Sequence, residues 1–305
     1  MIEAKNTIIS IGLPVFNGEK FLREKIESIL DQTFQDFELI ISDNASTDKT
    51  KEICQEFLEK DQRIQYFRQE KNIGSVKNFE FVLEKAKFEY YIATAVDDQI
   101  SNNYLESNLE MIRKNENCIG SVGKTNLFGT AMEEMKVKQN DPFRIKINKK
   151  IRQWLASFFI ESFQGKYYEK IRMSLKWTGA TMVMYGVFRT DVFRKSFPKE
   201  RIFGLESIFV INLIKYGDII LNENTCVKKF VGKGATSASG MSHLLKNYET
   251  NIFTKIFPLS PFTMWMLKNH GIKLFIKNLD ALIELNLKME LFVIYDIFKK
   301  LKRTT

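Results

Sequence analysis

Apolar and polar positions follow a strand–helix rhythm through the first third of the chain. Thr7-Ile8-Ile9-Ser10-Ile11-Gly12-Leu13 is a buried-strand run ended by Pro14, and residues 19–30 carry Phe21, Leu22, Ile26, Ile29 and Leu30 at helical spacing. Residues 37–42 form a second apolar run. Asp43-Asn44-Ala45-Ser46-Thr47-Asp48 follows as a loop, with Ser46 or Thr47 expected to cap a helix through Leu58. Residues 64–67 predict a short strand, residues 72–75 lead into a helix through Lys87, and residues 90–96 predict another strand. This βαβαβαβ order implies a parallel α/β sheet over roughly the first 100 residues.

Beyond that sheet the rhythm weakens. Residues 104–114 predict a helix and 119–123 a strand; residues 136–150 are strongly basic and suit a surface excursion. An aromatic-rich helical stretch from 151 to about 175 comes next, then a strand at 181–188, a short helix at 191–196, a helix at 207–216 and a strand at 218–221. Gly232, Gly234 and Gly240 mark a loop, and residues 248–303 predict helices broken at Pro258 and Pro261. The expected division is 1–123 as an α/β part, 124–245 as a less regular part completing it, and 246–305 as a basic amphipathic helical region.

The most telling chemistry is the acidic pair Asp97-Asp98 at the end of the 90–96 strand. Ligands of open α/β sheets bind beyond the carboxyl ends of the strands, and two adjacent carboxylates there repel unless a positive charge lies between them. A divalent cation carrying a phosphate satisfies that need. The chain has 305 residues and a formal charge of +9, which favours anionic partners. Its 3 cysteines form no Cys-x-x-Cys pair, and 2 histidines leave little material for a transition-metal centre or a Ser-His-Asp triad. A metal here should be hard and oxygen-ligated. The opening residues lack a signal-peptide pattern and no run reaches transmembrane length, so a cytoplasmic location is expected.

Ser10 through Glu19, Ser28 through Phe34, Phe37 through Asp48 and Asn72 through Phe79, taken together, resemble the nucleotide-binding half of family 2 glycosyltransferases. The resemblance covers about 40% of the chain. It implies the GT-A fold, with 1–123 as the nucleotide-sugar-binding part and 124–245 as the acceptor-binding part, and inverting transfer of a sugar from a nucleotide donor, usually a UDP-sugar, with Mn2+ or Mg2+ bridging the diphosphate. By that resemblance Pro14, Phe16 and Glu19 belong to the nucleoside loop, Asp43 bonds the uracil, and Asn72 and Lys77 join the donor-binding set. A turn or cap role is the lesser alternative for Asp43, set against the whole Ser42-to-Asp48 string. Asp97 matches the ribose or metal-shell position and Asp98 the cation ligand. Many relatives carry a third carboxylate where this chain has Ala95.

Glu206 falls where the family places its general base, at a helix start, although aspartate is usual there; a first-turn carboxylate also suits any helix N-terminus. Asp191 is the rival, better explained as a cap with Thr190. Trp177 is divided between acceptor contact and core, Lys233 between phosphate contact and loop surface, and His243 is a further metal candidate. The lysine-rich C-terminal region suits an anionic membrane surface or simple packing on the core. Taken together, the expectation is a glycosyltransferase building surface polysaccharide on a glycan or lipid-linked acceptor, cytoplasmic or peripheral at the inner membrane face. The competing readings are an inactive nucleotide-sugar-binding homologue and a nucleic-acid-binding α/β protein, the latter disfavoured because unmetallated Asp97-Asp98 repels phosphate.

Overall fold

The computed structural model describes residues 9–156, 161–176, 180–232, 254 and 257–301. Three helices alternate with the first four strands: β1 (Ile9–Val15), α1 (Leu22–Leu30), β2 (Phe37–Asp43), α2 (Thr50–Lys60), β3 (Ile64–Arg68), α3 (Ser75–Lys85) and β4 (Tyr90–Ala93). Then come β5 (Gln99–Ile100), α4 (Tyr104–Arg113), β6 (Cys118–Phe128), α5 (Thr130–Met135), α6 (Phe143–Ala156), α7 (Tyr167–Leu175) and α8 (Ala180–Val183). β7 (Val187–Arg189), α9 (Thr190–Ser196), α10 (Leu205–Leu213) and β8 (Asp218–Phe230) precede two C-terminal helices, α11 (Ser260–Lys277) and α12 (Leu279–Leu301).

All eight described strands join one sheet in the order β3-β2-β1-β4-β7-β6-β8-β5. The pairs β3-β2, β2-β1 and β1-β4 are parallel, as the βαβ rhythm requires, whereas β7 runs antiparallel to both β4 and β6. Alternation along each strand sends side chains to opposite faces. Ile9, Ile11, Leu13 and Val15 meet α1, α2 and α4 on one face, while Ile40, Tyr91 and Phe188 meet α3, α7, α9, α10, α11 and α12 on the other.

Several boundaries differ from the sequence pattern for identifiable reasons. Pro14 lies inside β1 rather than after it. Gly12 accepts a hydrogen bond from the Thr94 amide on the β4 side, at 2.9 Å, and Val15 accepts one from Asn44 on the β2 side, at 2.8 Å. Pro14, two residues past Gly12, turns its missing N–H toward β4, where the ladder has already ended. The expected strand at 181–188 is instead α8, a turn, and the short β7; a short apolar run does not by periodicity separate buried strand from buried helix. Pro261 begins α11 instead of interrupting a helix, and the bend in that helix falls at Gly271, with φ 74°. Neither Ser46 nor Thr47 caps α2: Asp48 Oδ1 accepts from the Thr50 amide at 3.1 Å.

Gly120 on β6 shows how tightly the middle of the sheet packs. A Cβ there would lie 2.0 Å from Cδ1 of the fully buried Phe188, so only glycine fits beside that ring.

Candidate active site

The site forms where β2, β1 and β4 end side by side, the place at which order reverses in a parallel sheet. Two of its loops are stitched together. The Asn17 amide donates to Ser46 Oγ at 2.9 Å, the Thr47 amide to Asn17 Oδ1 at 2.8 Å, and the Lys49 amide to Glu19 Oε2 at 3.1 Å. Glu19 thus braces the loop. Phe16 stands 48% exposed on the same loop, an aromatic face open to a ligand.

Asp43, at the end of β2, is completely buried. Its Oδ2 accepts from the Tyr66 hydroxyl at 2.8 Å and from Arg68 Nη1 at 2.6 Å, while Oδ1 accepts from the Ser46 amide at 2.8 Å. A carboxylate offers about four acceptor sites, so one place on Oδ1 is left over. Asn72 braces its own loop, accepting from Asn44 Nδ2 at 3.1 Å and from the Gly74 amide at 2.9 Å. Pro14 is part of β1, and Lys77 is exposed in the first turn of α3.

The acidic pair follows β4 in a tight turn, closed by the Asp98 amide donating to the Ala95 carbonyl at 3.3 Å. The two carboxylates have different surroundings. Asp97 keeps partial exposure; burial and then the neighbouring Asp98 raise its pKa above the usual carboxylate value. Asp98 is 1% exposed, its Oδ1 accepts from the Phe230 amide at 3.0 Å, and its Oδ2 has no hydrogen-bond partner.

Two lysines flank this pair. Lys25, on the buried face of α1, donates to the Asp98 carbonyl at 2.7 Å. Burial lowers its pKa to about 8 against the opposing pull of Asp98 and Asp97. Lys229, near the end of β8, holds its Nζ 3.5 Å from Asp98 Oδ2 and 5.0 Å from the centre of the Tyr185 ring. Burial opposes its charge, but Tyr185 and Asp98 outweigh that and leave its pKa raised. The repulsion expected between the carboxylates is therefore answered within the chain by two cations that composition and motif reading had not singled out. The available signal was Lys25 at a core position of an apolar helical stripe, between Leu22 and Ile26.

Glu206 lies in the first turn of α10 and is partly buried. Burial raises its pKa above the usual carboxylate value, against a weaker opposing pull from Lys229. Gly204 caps this helix at φ 94°, and a Cβ on it would come within 3.1 Å of Phe262 on α11. The C-terminal helices thus hold the start of α10 in place. Asp191 is on the exposed side of α9 in an ion pair with Lys195 at 2.9 Å, remote in character from a buried base. Neither Thr190 nor Asp191 caps α9 through a side chain; the Thr190 hydroxyl donates to the Phe88 carbonyl at 2.6 Å. Trp177, Lys233 and His243 lie outside the described residues.

Among the described residues no group of three or more His, Cys, Asp or Glu side chains gathers as a metal site. Asp98 Oδ2, which accepts no hydrogen bond, and the adjacent Asp97 nevertheless supply hard oxygen donors, fitting a divalent cation whose remaining ligands come from phosphate. No helix among the described residues is long and apolar enough to cross a membrane.

Known proteins of similar sequence and shape agree with this geometry. The GalNAc(5)-diNAcBac-PP-undecaprenol beta-1,3-glucosyltransferase of Campylobacter jejuni is 28% identical over 169 residues, 55% of this chain and 52% of that protein. The chain spans only 15–43% of the length of the first curated relatives it matches. Among solved structures, Staphylococcus aureus TarS 1-349 with UDP-GlcNAc superimposes with a TM-score of 0.55 at 18% identity, covering 86% of this chain and 73% of that one. The mannosyltransferase PcManGT of Pyrobaculum calidifontis, solved with GDP-Man and Mn2+, gives 0.58 at 13% identity, covering 94% and 73%. These likenesses establish the GT-A fold. The sequence profile described as glycosyl transferase family 2 matches residues 10–195, well over half of the molecule, and the chain belongs to that family.

Proposed function

We propose that the chain transfers a sugar from a nucleotide donor, a UDP-sugar, to a hydroxyl of a glycan or lipid-linked acceptor in surface polysaccharide synthesis. The observation that carries this reading is the convergence of Phe16, Asp43 and the Asp97-Asp98 pair on the carboxyl ends of three adjacent strands. Phe16 offers a stacking face for the base, and Asp43 is the acceptor for an N–H of that base, which its complete burial requires the Ser46 loop to shift to admit. The neighbours with UDP-GlcNAc and GDP-Man are consistent with a nucleotide in this position. The undecaprenol-linked acceptor in the name of the Campylobacter relative supports a lipid-linked one here, met at the inner face of the membrane.

In this reading Glu206 is the general base. Its raised pKa suits it to take the acceptor proton as the hydroxyl oxygen attacks the anomeric carbon, and a single displacement inverts that carbon. The bond from C1 to the β-phosphate oxygen breaks, and its electron pair leaves on the nucleoside diphosphate. Asp97 and Asp98 would hold Mn2+ or Mg2+, which when bound supplies charge neutralisation to that leaving group. Asp98 Oδ2, which accepts no hydrogen bond, and the more exposed Asp97 would both serve this contact, while Asp98 Oδ1 is tied by Phe230 into the wall.

The test is a panel of UDP-sugars assayed for transfer and hydrolysis with wild type and Glu206→Gln. The expected result is turnover of at least one donor by wild type, lowered about 10²–10⁴-fold in Glu206→Gln with UDP affinity kept. Substantial turnover in the variant moves the base elsewhere, and no turnover with any donor removes the activity.

A further inference from the structure

The acidic pair has a cation beside it that the chain itself supplies, and its placement points to a role beyond neutralising Asp98. Lys229 is held loosely for a group 20% exposed at its side chain. Its Nζ is 3.5 Å from both Asp98 Oδ2 and the Tyr185 hydroxyl, at the outer edge of hydrogen-bond distance. Lys25, by contrast, is committed at 2.7 Å to the Asp98 carbonyl and buried. The backbone beneath Lys229 is fixed. Phe230, the next residue, gives its amide to Asp98 Oδ1 and packs its ring 5.1 Å from Phe21 and 5.4 Å from Phe128. A flexible four-carbon stem on a fixed strand, ending in three donors with only long contacts, can swing its charge by a few ångströms without moving the wall.

Resting on the nucleotide-sugar reading, we propose that Lys229 is a diphosphate-binding residue that turns from Asp98 to the phosphate oxygens, so that this site retains a nucleoside diphosphate without any divalent metal. In the empty site the ammonium offsets the buried carboxylate. When the diphosphate arrives, its oxygens are better acceptors for the three N–H groups than a carboxylate oxygen 3.5 Å away. A divalent cation and Lys229 then compete for Asp98 before nucleotide binds, and act together on the diphosphate afterwards.

The competition gives Lys229→Met opposite effects on two ligands. Calorimetry with UDP is run on wild type and Lys229→Met, once in Mn2+ and once in EDTA, and Mn2+ alone is titrated by electron paramagnetic resonance. Wild type is expected to bind UDP in EDTA within about tenfold of its affinity in Mn2+. Lys229→Met should lose at least about tenfold of the affinity in EDTA while binding Mn2+ alone more tightly. A residue that merely propped up the wall would weaken both ligands together, which overturns the proposal. So does wild type that binds UDP in Mn2+ but not in EDTA, a result that stands even if Lys229→Met fails to fold. Wild type that binds UDP under neither condition overturns the nucleotide-sugar reading itself.

Discussion

Acidification should loosen the helical cover of the site through one residue, His270. It lies in α11 with its Nε2 buried and lacking a hydrogen-bond partner, its ring edge-on to Trp265 at 5.2 Å and its Nδ1 3.5 Å from the Tyr167 hydroxyl. Burial, aided by the charge of Lys215, lowers its pKa from 6.5 to about 4. The folded state therefore resists protonation that the unfolded chain accepts. Stability from this residue is complete above pH 6.5 and drains away as pH falls toward 4, where the folded protein also takes up the proton. At about 1.4 kcal/mol per unit the full loss is about 3 kcal/mol, most of which is gone by pH 4.5.

Carboxylates such as Asp280, held low by Arg172, also lose their contribution in acid, so the raw pH dependence mixes sources. The comparison that isolates His270 is urea unfolding of wild type and His270→Gln at pH 7 and pH 4.5. The variant loses the ring contact with Trp265 at both pH values, but it cannot titrate. Its disadvantage at pH 7 should shrink or reverse by about 2 kcal/mol at pH 4.5. Parallel stability losses in the two proteins would refute the reasoning, because they would mean that His270 has the same proton affinity folded and unfolded.

Two further perturbations test the frame of the site. Gly120→Ala forces a methyl group into the Phe188 ring and should cost about 2–3 kcal/mol in urea unfolding, partly recovered by adding Phe188→Leu; a change below about 0.5 kcal/mol would show that the sheet yields. Lys25→Met leaves the Asp98 carbonyl without its donor and the pair with one cation fewer, and should destabilise by about 1–3 kcal/mol at pH 7. Mn2+ should raise the melting temperature of Lys25→Met more than that of wild type, and equal shifts would argue against its electrostatic role.

The first half of the sheet was readable because apolar periodicity switches cleanly between two and 3.6 residues through Ala93, and because Asp97-Asp98 stands at a strand end. The partners of those residues were not readable in the same way. Arg68 reaches Asp43 because β2 and β3 run parallel in a register that sets Asp43 opposite Arg68, a fact of pairing rather than of spacing. Lys229 and Phe230 reach Asp98 from 131 and 132 residues away along a strand whose sequence shows only its first four apolar-rich positions plainly. In the stretch from 124 to 200 the pattern fails because short apolar runs such as 181–188 divide between a helix turn and a strand, and only packing decides where. Glu206 could be located by resemblance, but the burial that raises its pKa comes from contacts no local pattern records.

The turn that carries the acidic pair also works as a ruler. β4 and β5 are four places apart in the sheet, about 19 Å if it were flat. The chain from Ala93 to Gln99 could reach at most about 21 Å when pulled straight, and the Ala95–Asp98 turn takes up much of that length. The sheet must therefore roll until its far edge comes back toward its middle, and the length of this tether sets how wide the rolled mouth can open. Adding a residue between Ala93 and Asp97 would slacken the roll and let Asp98, which stays with β5 and β8, draw away from the end of β4, so the spacing of the motif from its strand is under a geometric constraint separate from its charge.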